Sequence, residues 1–484
     1  MSIRILQIGF SFSLLIFVPQ IFAATTKTMD LTQFLQQVQD NNKSFKMNQS
    51  SKEAALDKKT AGDISLVPVL TFSGSYLSDK KQPVFTGGTE TINTLYSLGL
   101  AKKFSTGTQI KLSGNLFEAT GKDISNPAFA SVFGQYSTGS LGLSFSQSLW
   151  KDAFGRGTGL RQKRETEVAE LEVSAIDLQE RQLLIEAESA FWDLIYLQQE
   201  RRIRETSLQR AKRIETWVTK RTRDGIGDRA DLMNAKALVV SRQMQLLSSQ
   251  DDNLAAQKKL QDLLELNANE QVPTLVANLD QPRPLKESLK GAGEIIRLDS
   301  YLSVLEAKVK KLGSLEANDN LRSDLVLSGS YNTNSYENQG KISDAPKNIA
   351  NTNTPTSVVS LTWTYLFDTK VKEAALNQVK KEAHAAELKS ERKRIESNSS
   401  WSEIQRRYEE LGKKIEAAKQ IAEFQMERTK VQQDKLSKGR SITSEVITSE
   451  QEAAEAELTL SKLKVEQRKL EAQVRMFILL GEKI

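Results

Sequence analysis

The chain of 484 residues contains no cysteine, one histidine and nine prolines. Without cysteine there is no disulfide, no thiolate chemistry and no acylated N-terminal Cys to serve as a lipid anchor. His384 stands beside Lys380, Lys381 and Glu382 on a charged helical stretch. It reads as a solvated position, and no second histidine is available to build a zinc site. No glycine loop of the kind that cradles phosphate is present. Catalysis, a bound metal and a cofactor are therefore not expected. The net charge of +6 and pI near 9.0 raise the question of nucleic acid. Basic and acidic residues interleave, however, as in Glu200-Arg201-Arg202-Ile203-Arg204-Glu205, which is the pattern of a solvated face with salt pairs. Beyond the first 23 residues no apolar run is long enough to cross a bilayer as a helix.

Those first 23 residues read as a secretory signal. Arg4 supplies the positive start, residues 5–22 the apolar run, and Ile21-Phe22-Ala23 the small-residue cleavage site. The mature chain is expected to begin at Ala24 and to be exported.

Glycine and proline are also missing from two long stretches. Residues 160–224 and 228–272 contain neither, and the fold between them falls at Gly225-Ile226-Gly227. Two long helices meeting at one turn are predicted. The first would reach about 100 Å, far beyond the helices of an ordinary globular domain. Ile176, Leu183, Ala190, Leu197, Ala211 and Val218 recur every seven residues, with Val173, Ala187, Leu194 and Leu208 four positions on. That is one coiled-coil seam. Leu171, Leu178, Ile185 and Trp192 form a second series on an adjoining face, so two flanking helices are expected. Taken alone, the segment would suit a coiled-coil rod.

A copy of the turn argues against a rod. Gly225 with Asp231-Leu232-Met233 returns as Gly439 with Glu445-Val446-Ile447, at a constant spacing of 214. The second turn is again embedded in helix, over 369–438 and 440–480. Ahead of each hairpin the hydrophobic period changes from helical to two. Residues 31–59 read as helix; then Leu70, Phe72, Gly74 and Tyr76 alternate with small polar residues, as a strand does. The alternation recurs over Tyr96, Leu98, Leu100 and Phe104, over Ile110, Leu112, Gly114 and Leu116, and over Leu141, Leu143, Phe145 and Leu149. After a proline-bearing linker at 273–284 come a helical segment at 285–318 and the strand Ser328-Gly329-Ser330-Tyr331, which repeats Ser73-Gly74-Ser75-Tyr76. An exposed loop is expected at 332–356, then a returning strand through Val359, Leu361, Trp363, Tyr365 and Phe367.

Alternating strands of about ten residues suit a soluble sandwich as well as a membrane barrel. Export, the lack of cysteine and aromatic residues at strand ends favour a barrel with an apolar outer face and a polar lumen. The interface aromatics are Tyr76, Tyr96, Phe104, Trp150, Trp363, Tyr365 and Phe367. The sequence therefore divides into a signal at 1–23, a first repeat at 24–272 with a helix, four strands and a hairpin, a linker at 273–284, and a second repeat at 285–484 with two strands. From Ser73 to Ser328 the spacing is 255, and from Trp150 to Phe367 it is 217. About 38 residues are thus inserted in the first half, as two strands joined at Ser105-Thr106-Gly107.

With its paired glycine turns, each followed six residues later by an acid and two aliphatics, the chain resembles the TolC family of outer-membrane channel proteins over essentially its whole mature length. The resemblance implies an α+β membrane protein. It implies a homotrimer whose strands form one transmembrane β-barrel in the outer membrane of a Gram-negative bacterium, continued by an α-helical periplasmic tunnel. It also implies a periplasmic adaptor and an inner-membrane transporter as partners, outer-membrane lipid around the barrel, and no nucleic acid. By match, Asp224, Gly225, Ile226 and Gly227, with Lys438, Gly439 and Arg440, are the adaptor-facing turns. Asp231, Glu445 and Thr448 fall at the periplasmic gate. Family members commonly narrow the tip with acidic residues, and Thr448 departs from that pattern. Asp231 and Glu445 also suit the first turn of a helix for dipole reasons alone. Six strands per chain would give eighteen in a trimer if the inserted pair joins the wall, and twelve if it stands outside. Alternation of Gln109, Lys111, Ser113 and Asn115 with Ile110, Leu112 and Leu116 favours the wall. The function implied is a passive exit duct for efflux or type I secretion; the rival is an exported coiled-coil protein of structural or adhesive role.

Overall fold

The computed structural model describes residues 28–81, 88–267, 270, 272–286, 289 and 293–480; the expected signal at 1–23 lies outside them. The described residues begin with strand β1 (Thr28–Met29) and helices α1 (Leu31–Asn41) and α2 (Lys43–Ala61). Asp30 caps α1 in a reciprocal box with Gln33, and Asn42 both breaks the expected single helix and caps its second part through Ser44. Strands β2 (Val69–Asp79), β3 (Glu90–Lys103) and β4 (Thr108–Lys122), the short helix α3 (Pro127–Phe133) and strand β5 (Gln135–Ser148) follow. Helix α4 (Arg156–Arg223) is 68 residues long and turns into α5 (Arg229–Leu264). The two-residue strand β6 (Thr274–Leu275) pairs in parallel with β1. Then come β7 (Glu294–Arg297), α6 (Leu298–Asn320), β8 (Asp324–Asn338), β9 (Thr356–Thr364), the 69-residue α7 (Thr369–Ser437), α8 (Thr443–Gln473) and β10 (Phe477–Leu480).

One sheet holds six of these strands in the order β2-β3-β4-β5-β8-β9, every neighbour antiparallel. The inserted pair β3–β4 lies inside this sheet, between β2 and β5. Its turn is seated on the junction between β5 and α4: a Cβ on Gly155 would meet the Ser105 carbonyl, and Lys103 lies 3.6 Å from Asp152. Asp319 at the end of α6 fastens the same junction, accepting from the Asp152 amide at 2.9 Å and from Arg156.

Helices occupy four lateral positions. The long α4 and α7 each run as one piece, while α6 and α8 share the space between them and α2 and α5 share the opposite flank of α4. Helix α4 thus has the two flanks its two apolar series require. Ala187, Ala190, Leu194, Leu208, Ala211 and Val218 are buried, whereas Val173, Ile176 and Leu183 nearer the sheet are only half-buried. The largest core lies halfway down, where Phe191 packs Trp192 edge-on at 5.2 Å and Phe34 at 5.5 Å. Beside it the buried Glu188 accepts from Arg283 at 2.5 Å and Arg475 at 2.9 Å, pinning the proline-bearing linker to α4. Among the described residues no helix is long and apolar enough to cross a membrane.

Five expected boundaries move, one of them at the returning strand, which ends at Thr364 and leaves Tyr365 and Phe367 beyond it. Helix α5 stops at Leu264, not at residue 272, because Glu265 enters the left-handed region and Leu266 donates back to Gln261 at 3.0 Å. Helix α8 stops at Gln473, and Phe477–Leu480, apolar enough to look helical in isolation, pairs instead with β7. For the same reason the helix expected at 285–318 starts only at Leu298. Strand β8 continues to Asn338, seven residues into the expected loop, since Thr333, Ser335 and Glu337 keep the period of two and find partners on β5.

Candidate functional site: a two-faced sheet and paired helical tips

Residues opposite one another in an antiparallel ladder share a face. The register Leu70–Leu100–Leu112–Leu143–Tyr331 therefore forms one row across the sheet, and Phe72–Leu98–Gly114–Leu141 the next. Lys102 ends a row through Ile110, Phe145, Gly329 and Val359 on the same face. This face is apolar and uncovered: Leu70, Phe72, Val359 and Leu361 are 68, 71, 81 and 63% exposed. Solvent does not favour so large an apolar patch. The opposite face is hydroxyl and amide, with rows such as Ser73–Ser97–Asn115–Ser140–Asn334 joined by side-chain hydrogen bonds. Ser73 bonds Ser97 at 2.6 Å, Asn115 donates to Ser140 at 3.1 Å, and Ser328 bonds Ser360 at 2.8 Å.

All seven expected aromatics are exposed or nearly so. Phe104, Trp150, Trp363, Tyr365 and Phe367 gather at the helix end of the sheet, where Tyr365 packs tilted against Trp363 at 5.8 Å and edge-on against Phe367 at 5.2 Å. Tyr76 and Tyr96 stand nearer the far end. From Thr94, the partner of Tyr76, to Phe104 the chain advances ten residues. That is about 33 Å along a strand, or about 25 Å of height at a tilt of about 40°, the apolar band of a membrane barrel. Other aromatics went unremarked in the sequence. Phe154 is 73% exposed at the helix end and held at φ 50°. Phe117, Tyr136 and Tyr336 cluster on the polar face near its far end, with ring centroids 6.1 and 5.7 Å apart. Their signal was parity: each falls on the polar phase of its strand.

At the opposite pole of the molecule, the two turns share one hydrogen-bond pattern. Gly225 (φ 74°) donates to the Thr222 carbonyl and Ile226 to Arg221; Gly439 (φ 68°) donates to Leu436 and Arg440 to Lys435. Both are the paired 5→2 and 6→1 closures that require a left-handed residue after the helix, the reason for glycine at these two positions. Asp224 and Lys438 end their helices. Gly227 leads to Asp228, whose carboxylate caps α5 at the Ala230 amide, 2.9 Å.

The three expected gate residues have different surroundings. Asp231 is half-buried and accepts from Thr443 on α8. Glu445 is exposed, accepting only from Ser441 at 3.2 Å, and Thr448 lies one turn along the same exposed stripe. Behind them Ile214, Val218, Ala235, Leu436 and Val446 form a small core common to all four helices of the two hairpins. Above it Glu450 of α8, fully buried, pairs with Arg210 of α4, and Arg242 of α5 lies close by. Burial pushes the Glu450 carboxyl up, and the nearby guanidinium groups only partly offset it. Among the described residues no group of three or more His, Asp or Glu side chains could hold a metal ion.

Solved structures share this architecture. The outer-membrane channel OprN aligns with a TM-score of 0.68 and 16% identity over 92% of this chain and 89% of its own. VceC, an outer membrane protein of Vibrio cholerae, gives 0.65 and 13% over 92% and 94%. The MtrE outer membrane channel of Neisseria gonorrhoeae, in its open state, gives 0.65 and 15% over 92% and 88%. No family model and no curated protein sequence matches the chain. At these identities the likeness establishes the fold, which is that of the outer-membrane channels and spans nearly the whole chain.

Proposed function

We propose that the protein is the outer-membrane exit duct of a tripartite efflux or type I secretion system, working as a homotrimer. One observation carries this reading: the sheet exposes a broad apolar band on one face, while its two outermost strands, β2 and β9, each have an unpaired outer edge and are exposed along their whole length. An open sheet of this kind is a liability in water and cannot stand in lipid, where every backbone group needs a partner. Strand β2 runs away from the helices and β9 returns, so β2 of one copy pairs antiparallel with β9 of the next. Three copies close a barrel of eighteen strands, wide enough for an aqueous lumen. The free flank of α7 meets the α2/α5 flank of a neighbour in the same ring. The two halves of each chain then act as repeats that supply equivalent hairpins.

In this arrangement the apolar face meets the lipid of a Gram-negative outer membrane and the helices form a periplasmic tunnel. Asp224 to Gly227 and Lys438 to Arg440 face a periplasmic adaptor, and Asp231, Glu445 and Thr448 line the tip that the adaptor opens. The duct is passive, catalyses nothing and binds no cofactor; an inner-membrane transporter supplies the energy. Single-channel conductance of purified protein in planar bilayers, with the oligomeric mass measured in the same detergent, tests the reading. A trimer with small, stable conductance is expected. A monomer that never conducts would favour the exported coiled-coil protein instead.

A further inference from the structure

The polar face of the sheet is almost uncharged. Between the row of Lys103 and Gln109 at the helix end and the row of Asp79 and Thr91 at the far end, its positions on six strands are Ser, Thr, Asn, Gly, Ala or apolar residues, with one exception. The exception is Lys111 on β4. Its row is Ala101–Lys111–Ser144–Ser330–Val358, so no acid stands beside it. The side chain is exposed and lies across Gly99 of β3, with Cε 3.6 Å from the place a Cβ would take there. Serines 144, 146, 328, 330 and 360 line the shallow groove on its other side. Among the described residues Lys111 forms no ion pair, whereas Lys103 lies beside Asp152 at 3.6 Å. The inserted pair β3–β4 therefore brings to the wall both extra width and the one charge that stands between those two rows of this face.

We infer that Lys111 forms an anion-selecting collar inside the barrel and that anionic solutes are the favoured cargo of its lumen. The inference rests on the trimeric duct, in which three copies of Lys111 make a ring at one level. Rings of Lys or Arg select anions because the field of like charges is unopposed in a confined passage. Salt limits the reach of this field to about 8 Å at physiological ionic strength and about 30 Å at 0.01 M. Monovalent preference is accordingly modest in ordinary buffer and grows on dilution, while a polyvalent anion feels the same field in proportion to its charge.

The test is sided block of single channels by inorganic tripolyphosphate. Added on the barrel side, it should reach the collar whether or not the tip is closed. Lys111→Gln should raise the half-blocking concentration at least tenfold, and Lys111→Arg should leave it within a factor of two. At low salt, Lys111→Glu should move the reversal potential in a KCl gradient towards cation preference. Conducting channels that tripolyphosphate blocks only from the tip side, or equally in Lys111→Gln and the parent, overturn the collar and leave the duct standing. A protein that never conducts overturns the duct, and the collar with it.

Discussion

Thr443 Oγ1 donates to Asp231 Oδ2 at 3.2 Å, joining the first turn of α8 to the first turn of α5. Each helix has just returned from a tip, so this bond ties the two hairpins of one chain together immediately above their turns. Thr443 is almost fully buried. Asp231→Ala leaves its hydroxyl without that acceptor and should loosen the contact by about 1 kcal/mol. If the tip is the gate, closed-state conductance rises in Asp231→Ala and in Thr443→Val, and the double variant is no leakier than either single one. Unchanged conductance in both would remove this bond from the gate.

The turns themselves tolerate little. Gly225 and Gly439 have open space where a Cβ would stand, so the constraint is the left-handed backbone, not crowding. Alanine at either position should cost about 1–2 kcal/mol locally. Gly439→Pro is worse, since proline fixes φ near −65° and removes the amide that closes onto Leu436. Hydrogen exchange at the last turn of α7 should speed up in both variants, and export should fail in Gly439→Pro. Full export by that variant would argue against a docking role for the turn.

Further from the turns, Arg210 and Glu450 are a buried pair, and removing one member strands the other. Arg210→Met or Glu450→Leu alone should destabilise the surrounding helices by about 3–5 kcal/mol, while the two together should cost far less. Opening free energies from hydrogen exchange around Ile214 and Ala453 give the readout. Additive losses would show that the pair is not the unit described.

Tyr301 of α6 donates to Glu170 of α4 at 2.6 Å. Burial first, and then this carboxylate, push its phenol up to about 12. A raised phenol stabilises the fold fully below its ordinary value near 10 and loses that contribution as pH rises through 12. Spectrophotometric titration should show some tyrosines ionising late, since burial also pushes up the Tyr196 and Tyr408 phenols, with Tyr301 supplying the step at about 12. Tyr301→Phe should abolish that step and flatten the loss of stability between pH 10 and 12. A titration identical to the parent protein would assign the late step elsewhere.

The sequence made legible what depends on period and on special backbone. Seven-residue spacing along α4 and alternation along six strands gave the elements, and Gly225 and Gly439 gave the turns, because few other residues reach those angles. What stayed hidden depends on partners distant in the chain. Nothing local separates Phe477–Leu480 from a helix end until Glu294–Arg297 stands opposite. Glu188, Arg283 and Arg475 look like ordinary surface charges until three segments meet. The resemblance that identified Asp231 gave it a place at the tip but not Thr443 as its donor, 212 residues away.

Leu98 and Ser97 are neighbours that face opposite sides of the same strand, and they make the sharpest test of the wall. Leu98 belongs to the row Phe72–Leu98–Gly114–Leu141, in the middle of the apolar band, and Ser97 to the hydroxyl row opposite. If the apolar face meets lipid, Leu98→Arg carries a charge to mid-membrane at about 2–4 kcal/mol for each chain. Three copies multiply that cost, and trimers should fail to assemble in the membrane. Ser97→Arg should assemble normally and change only conductance and ion preference, because its side chain stays in water. Heat-stable trimers on gels and single-channel traces distinguish the two. The reverse result, with Ser97→Arg blocking assembly and Leu98→Arg tolerated, would turn the barrel inside out and refute the register argument on which the duct depends.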